Sequence, residues 1–164
     1  NINLNGLTAS AGAPATGTGF AANVIADDAF TNTTGAAVDV VYTVIPVSGN
    51  SCLGEAELVT VTVNPEPVLN NLSNTVCSDE VSAITLSDVD AIATTYNITA
   101  INANGLTASA GAPATGTGLA ANVIADDAWT NKTGADVNVV YTVRPVSANS
   151  CVGDAKDVTL TVQS

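Results

Sequence analysis

The fifteen residues Asn5–Gly19, NGLTASAGAPATGTG, return unchanged at Asn104–Gly118. At that offset of 99, residues 1–65 and 100–164 agree at 49 of 65 positions. A period of this length lies well beyond the roughly 20–50 residues of solenoid coils and propeller blades, and it suits one small β-sandwich per repeat. The substitutions sort by environment. Phe20 becomes Leu119 and Phe30 becomes Trp129, which keeps the apolar bulk an interior requires. Ile45 becomes Arg144, Glu57 becomes Lys156 and Leu58 becomes Asp157, exchanges that suit solvent-facing positions. The phase of the repeat predicts a complete sandwich over residues 64–164. Over residues 1–63 it predicts the C-terminal two-thirds of a truncated one.

Within a repeat the periodicity is that of strands. Val38–Val47 and its copy Val137–Val146 are β-branched runs closed by a proline, and Glu57–Val63 and Asp157–Val162 alternate apolar with polar residues. Between these strands, SGNSCLGEA and SANSCVGDA read as hairpin loops. Ala83–Leu86 and Ala93–Ile101 are further predicted strands. Asn23–Ala29 (NVIADDA) is compatible with a short strand or a helical turn. The Gly/Ala/Pro-rich repeat segment stays unassigned. Asn64–Pro67, with prolines at 65 and 67, is a short stiff join between units.

Composition removes whole classes of function. With no His, the chain has neither a Ser-His-Asp triad nor an imidazole metal site. Three Lys+Arg against 15 Asp+Glu, net −12, cannot neutralise a phosphate backbone or seek an anionic membrane, so nucleic acid is excluded as a partner. No apolar run reaches the length of a membrane span. The acidity does not mean disorder, because hydrophobic residues make up 46% of the chain and charged ones only 11%. Hydrolysis of a glycosidic bond would need two carboxyls across a cleft, usually lined with aromatic platforms, and six aromatics at strand-like positions do not supply one. The reading is therefore of a protein that is not an enzyme.

Three cysteines are an odd number for a secreted domain, and phase accounts for them. Cys77 opens the complete unit and Cys151 sits in its last hairpin loop, so a Cys77–Cys151 disulfide is expected, while the counterpart of Cys77 that would pair with Cys52 falls ahead of Asn1. Cys52–Cys77 is the rival pairing, and three free thiols the third possibility. The acidic positions Asp27, Asp28, Asp88, Asp90, Asp126 and Asp127 are fragments of an oxygen-rich Ca²⁺ loop without the ligand count of a complete one. Solvated turn residues are the simpler reading. Trp129 is first a core anchor and second a candidate for stacking on carbohydrate. Tyr42 and Tyr141 fall on the penultimate strand, where a sandwich tyrosine packs or caps a corner. Asn32, Asn71, Asn97 and Asn131 fit the N-x-S/T glycosylation pattern, as chance allows in so Asn/Thr-rich a chain.

VCSDE at Val76–Glu80, TNKTG at Thr130–Gly134, VVYTVRPVS at Val139–Ser147 and CVGD at Cys151–Asp154, with the closing VTLTV, resemble the PKD-like, immunoglobulin-like repeats of very large bacterial surface proteins. Such repeats occur in gliding and other environmental Bacteroidota, gliding-motility adhesins among them. The resemblance implies an all-β fold of tandem immunoglobulin-like Greek-key β-sandwiches, exported and displayed in long arrays as a stalk, spacer, fibre or adhesin. The partners it implies are neighbouring repeats of the same chain. The alternatives are a polysaccharide-binding module and a self-assembling filament subunit. It carries no catalytic residues to transfer.

Overall fold

The computed structural model describes residues 1–12 and 14–164. Ala13, inside the segment left unassigned above, lies outside the described residues. These contain strands, turns and loops with no α-helix, and they form two compact units, Asn1–Pro65 and Glu66–Ser164.

The first unit holds β1 (Ile2–Asn3), β2 (Thr8–Ala11), β3 (Ala29–Thr31), β4 (Val38–Val44) and β5 (Glu57–Val63). β1, β4 and β5 form an antiparallel sheet in that order, with Val38 opposite Val63 and Val44 opposite Glu57, and β2 pairs with β3 as a separate ribbon. Alternation along β4 turns Val40 and Tyr42 inward, where with Leu7 they form a small core. Ile25, Phe30, Val38 and Val63 are only partly buried against it.

The second unit holds β6 (Ser73–Cys77), β7 (Ala93–Asn102), β8 (Thr107–Ala110), β9 (Gly116–Leu119), β10 (Ala128–Thr130), β11 (Val137–Ser147) and β12 (Lys156–Gln163). Five of them make one sheet, in the order β6-β12-β11-β7-β9. Its outermost strand, β6, was not read from the sequence. SNTVC is short and polar, and it is held by parallel pairing to β12, Ser73 opposite Thr159 through Cys77 opposite Gln163. The opposing layer is the β8–β10 ribbon, extended by residues 81–86. That stretch does not form the expected ladder. Ser82, Ala83 and Leu86 donate their N–H groups to the carbonyls of Asp127, Ala125 and Ala121, so their partner is a run of turns. The NVIADDA copies take the helical-turn alternative, with Asn122 and Ile124 carbonyls accepting from Ala125 and Asp127. Between the layers lies the core, in which Tyr141, Val139, Val143, Val158, Leu160 and Val162 meet Leu69, Val76, Ile84, Leu86, Tyr96 and Ile98.

β7 reaches β8 through a tight turn at Asn104–Gly105 (φ 46° and 88°), closed by the Leu106 N–H on the Ala103 carbonyl at 2.9 Å. Positive φ at both central residues is the reason for Asn-Gly here. Asn104 also donates through Nδ2 to the Asn138 carbonyl at 2.7 Å, and Asn5 repeats the contact with Asp39. The fold is thus all-β, an immunoglobulin-like sandwich.

Candidate functional site

The expected acidic site separates into individual structural roles. Asp88 lies buried and accepts the Ile92 and Ala93 N–H groups on Oδ2 at 2.8 and 3.1 Å, capping the entry to β7. Asp28 accepts the Tyr42 hydroxyl at 2.7 Å. Asp27, Asp90 and Asp126 are exposed. Among the described residues no three carboxylates or thiols converge on a point that could hold a metal ion.

The densest polar chemistry is a buried chain in the second unit. Trp129 Nε1 donates to the Tyr141 hydroxyl at 3.0 Å, and Tyr141 donates to Asp127 Oδ2 at 2.9 Å. Asp127 is 1% exposed, and its Oδ1 has no hydrogen-bond partner. Burial pushes this carboxyl from 3.8 up to about 6; the Tyr141 hydrogen bond works against that rise and the Asp126 charge adds to it. Burial likewise raises the Tyr141 hydroxyl, with the Asp127 charge reinforcing it. In the first unit Tyr42 is pushed up to about 12, by burial first and then by Asp28, and Phe30 replaces the indole donor. Trp129 is 5% exposed and part of the core, so its ring has no free face for a sugar.

Two further residues act in ways the sequence did not disclose. Asn131 Nδ2 donates to the Ala135 and Val162 carbonyls at 2.8 and 2.7 Å, while Oδ1 accepts from the Thr133 backbone and hydroxyl. One side chain thereby closes the loop before β11 and fastens it to the end of β12. Asn32 makes the same contacts with Ala36, Val63 and Thr34. Both asparagines are buried, which removes them as glycan acceptors. The N-x-T spacing, which the sequence presents as a chance match to a glycosylation pattern, is the one local trace of this role. Gly153 is the second: a Cβ there would lie 1.9 Å from the Pro67 carbonyl oxygen.

The expected Cys77–Cys151 bridge is not formed, and all three cysteines are free thiols. Register explains why. Cys77 lies beside Gln163 at the end of β12, whereas Cys151 lies in the loop before β12 begins. The eight residues of β12 separate them by roughly 23 Å at about 3.3 Å per residue, and a disulfide needs Cα atoms within about 7 Å. Cys52 is exposed in the corresponding loop of the first unit. A shallow surface depression lined by Gly105, Leu106, Thr107, Thr130, Lys132 and Thr133 brings no carboxylate pair together.

Two layers of strands whose first and last members run parallel, with their polar interior spent on hydrogen bonds that hold loops in place, define an immunoglobulin-like sandwich module. The chain belongs to the PKD-like domain family, which matches residues 5–67 and 74–164. No curated protein matches the sequence. PKD-like domains are in general non-catalytic structural or adhesive modules of extracellular type. No helix is long and apolar enough to cross a membrane among the described residues.

Proposed function

We propose that this chain is a structural and adhesive repeat of a long extracellular bacterial surface protein, working as stalk, spacer or fibre unit in the manner of the gliding-type adhesins of Bacteroidota. The observation that carries the reading is the recurrence of one PKD-like domain at a spacing of 99 residues, joined through Asn64–Pro67 with its two prolines. An 11-residue strand such as β11 gives one module a span of about 36 Å, so length accumulates with copy number. A net charge of −12 keeps such an array soluble and self-repelling. Residues 1–63 act in this reading as the later part of a repeat, and adjacent repeats are its principal partners. Electron microscopy of native material tests it: isolated thin threads with a module-scale repeat are expected, and compact particles without a periodic extension would refute it.

A further inference from the structure

The two cysteines of the second unit lie at opposite poles of the sandwich. Cys77 ends β6 and pairs beside Gln163, where β12 finishes and the chain leaves the unit. Cys151 sits in the β11–β12 loop, at the pole where the chain enters. There Gly153 closes on Pro67 so tightly that a Cβ would lie 1.9 Å from the Pro67 carbonyl oxygen, and the Gly153 N–H donates to the Pro145 carbonyl at 2.9 Å. Both thiols ride on fixed backbone. Cys151 donates its N–H to the Ser147 hydroxyl at 3.2 Å, and its carbonyl accepts the Ser147 N–H at 2.9 Å. Cys77 donates its N–H to the Glu80 carboxylate at 3.1 Å, and its carbonyl accepts the Glu80 N–H at 3.1 Å. Cys77 is exposed and Cys151 half-buried, so an oxidant and a second thiol can reach both. The entry pole is also apolar. Val152, next to Cys151, and Val89, whose N–H bonds the Val68 carbonyl, are 41% and 62% exposed.

We infer that Cys77 of one repeat and the Cys151-type thiol of the repeat that follows it form a disulfide that staples consecutive modules. The inference rests on the tandem-array reading and deepens it, by naming the covalent partner each repeat finds in its neighbour. Chain connectivity supplies the geometry. Gln163 corresponds to Asn64 in the repeat, and three residue steps lead from Asn64 to Pro67, the residue on which the Cys151 loop packs. At about 3.3 Å per residue the join spans about 10 Å. Cys151 is two residues from Gly153, so a following repeat brings its loop thiol within a join's length of Cys77. The Cys151 of the same unit lies a whole strand away, at the other pole. Cys52 holds the same loop position in the first unit, so the thiol recurs with the module. The step balances with glutathione disulfide as oxidant. Each protein thiol gives up its proton, one S–S bond forms between modules, one breaks in the oxidant, and two glutathione thiols carry away the two electrons. Extracellular modules keep such bonds. The staple runs beside the proline-containing join and gives tension along the array a second covalent path.

Microscopy of native material decides the thread reading, whereas the staple is decided in solution, so the two can fail separately. The test appends a second copy of Glu66–Ser164 directly after Ser164 of the full chain. The protein is equilibrated with reduced and oxidised glutathione, and its bridges are located by non-reducing peptide mapping. The expected bridge joins Cys77 to the appended copy of Cys151, with Cys52, Cys151 and the appended copy of Cys77 outside any bridge within the protein. It should form at one rate across a roughly hundredfold dilution, as an intramolecular closure must, and Cys77→Ser should remove it. A bridge inside one unit, a bridge to Cys52, bridges between chains only, or no bridge at all would overturn the inference.

Discussion

Asp127→Asn should flatten the pH dependence of the second unit's stability. The carboxyl is buried, one oxygen is held only by Tyr141 and the other has no partner. Its pKa stands at about 6 against 3.8 in the ordinary state. The folded unit therefore holds the proton more tightly than the unfolded chain does, and stability falls as pH rises through this window. The contribution is greatest below about pH 4, declines through pH 6 and is lost above about pH 7. A shift of roughly two units corresponds to about 3 kcal/mol, an upper bound where water reaches the site. For a unit of about a hundred residues that is a melting-temperature change on the order of 10–20 °C. Asparagine keeps an oxygen for the Tyr141 hydroxyl and removes the charge. Glu66, raised by burial and then by the Asp154 charge, adds a slope of the same sign, and Asp79, lowered first by the Thr130 hydroxyl, adds one of the opposite sign. Both persist in the variant, so the difference between the two proteins isolates Asp127. Trp129 is the only tryptophan and lies in this unit, so its fluorescence reports the relevant transition. The variant should match the parent near pH 4 and exceed it near pH 8. Parallel melting curves across the range, or a parent that is the more stable at pH 8, would refute the buried-charge argument.

Other substitutions separate the structural devices. Asn131→Ala takes the amide donor from the Val162 and Ala135 carbonyls, of which Ala135 keeps the Thr133 hydroxyl, and should cost the second unit about 2–4 kcal/mol in urea unfolding; a loss under about 0.5 kcal/mol would mean water replaces the amide. Gly153→Ala drives a methyl into the Pro67 carbonyl and should destabilise by about 2 kcal/mol or more, whereas Gly54→Ala meets the exposed Pro46 ring at 2.8 Å and should cost far less by exchange on the first unit. Reducing agent should leave the Trp129 transition unmoved; a loss near 4 kcal/mol would show a disulfide the register forbids.

Much of this was legible in the sequence. The 99-residue period located the repeat, and β-branched alternation located β4, β5, β7, β11 and β12 within a residue or two except at the end of β4, which stops at Val44. Those signals are local, because a half-buried strand must alternate wherever it sits. β6 was invisible because a short polar edge strand is defined by its partner. Asp127 could be named as an acidic candidate, but its adjacency to Asp126 in sequence hid opposite environments, one exposed and one sealed beneath Tyr141.

Repetition, strand identity, acidity and the absence of histidine chemistry were fixed by residue types in order, so the sequence alone determined that this is a tandem all-β module. Tertiary structure alone decided which cysteines can meet, where Trp129 turns its ring, and that Asn32 and Asn131 fasten loops from inside. Burial depends on what lies across the sheet, and Leu69 and Leu160 share one core over a separation of about ninety residues that no local pattern encodes.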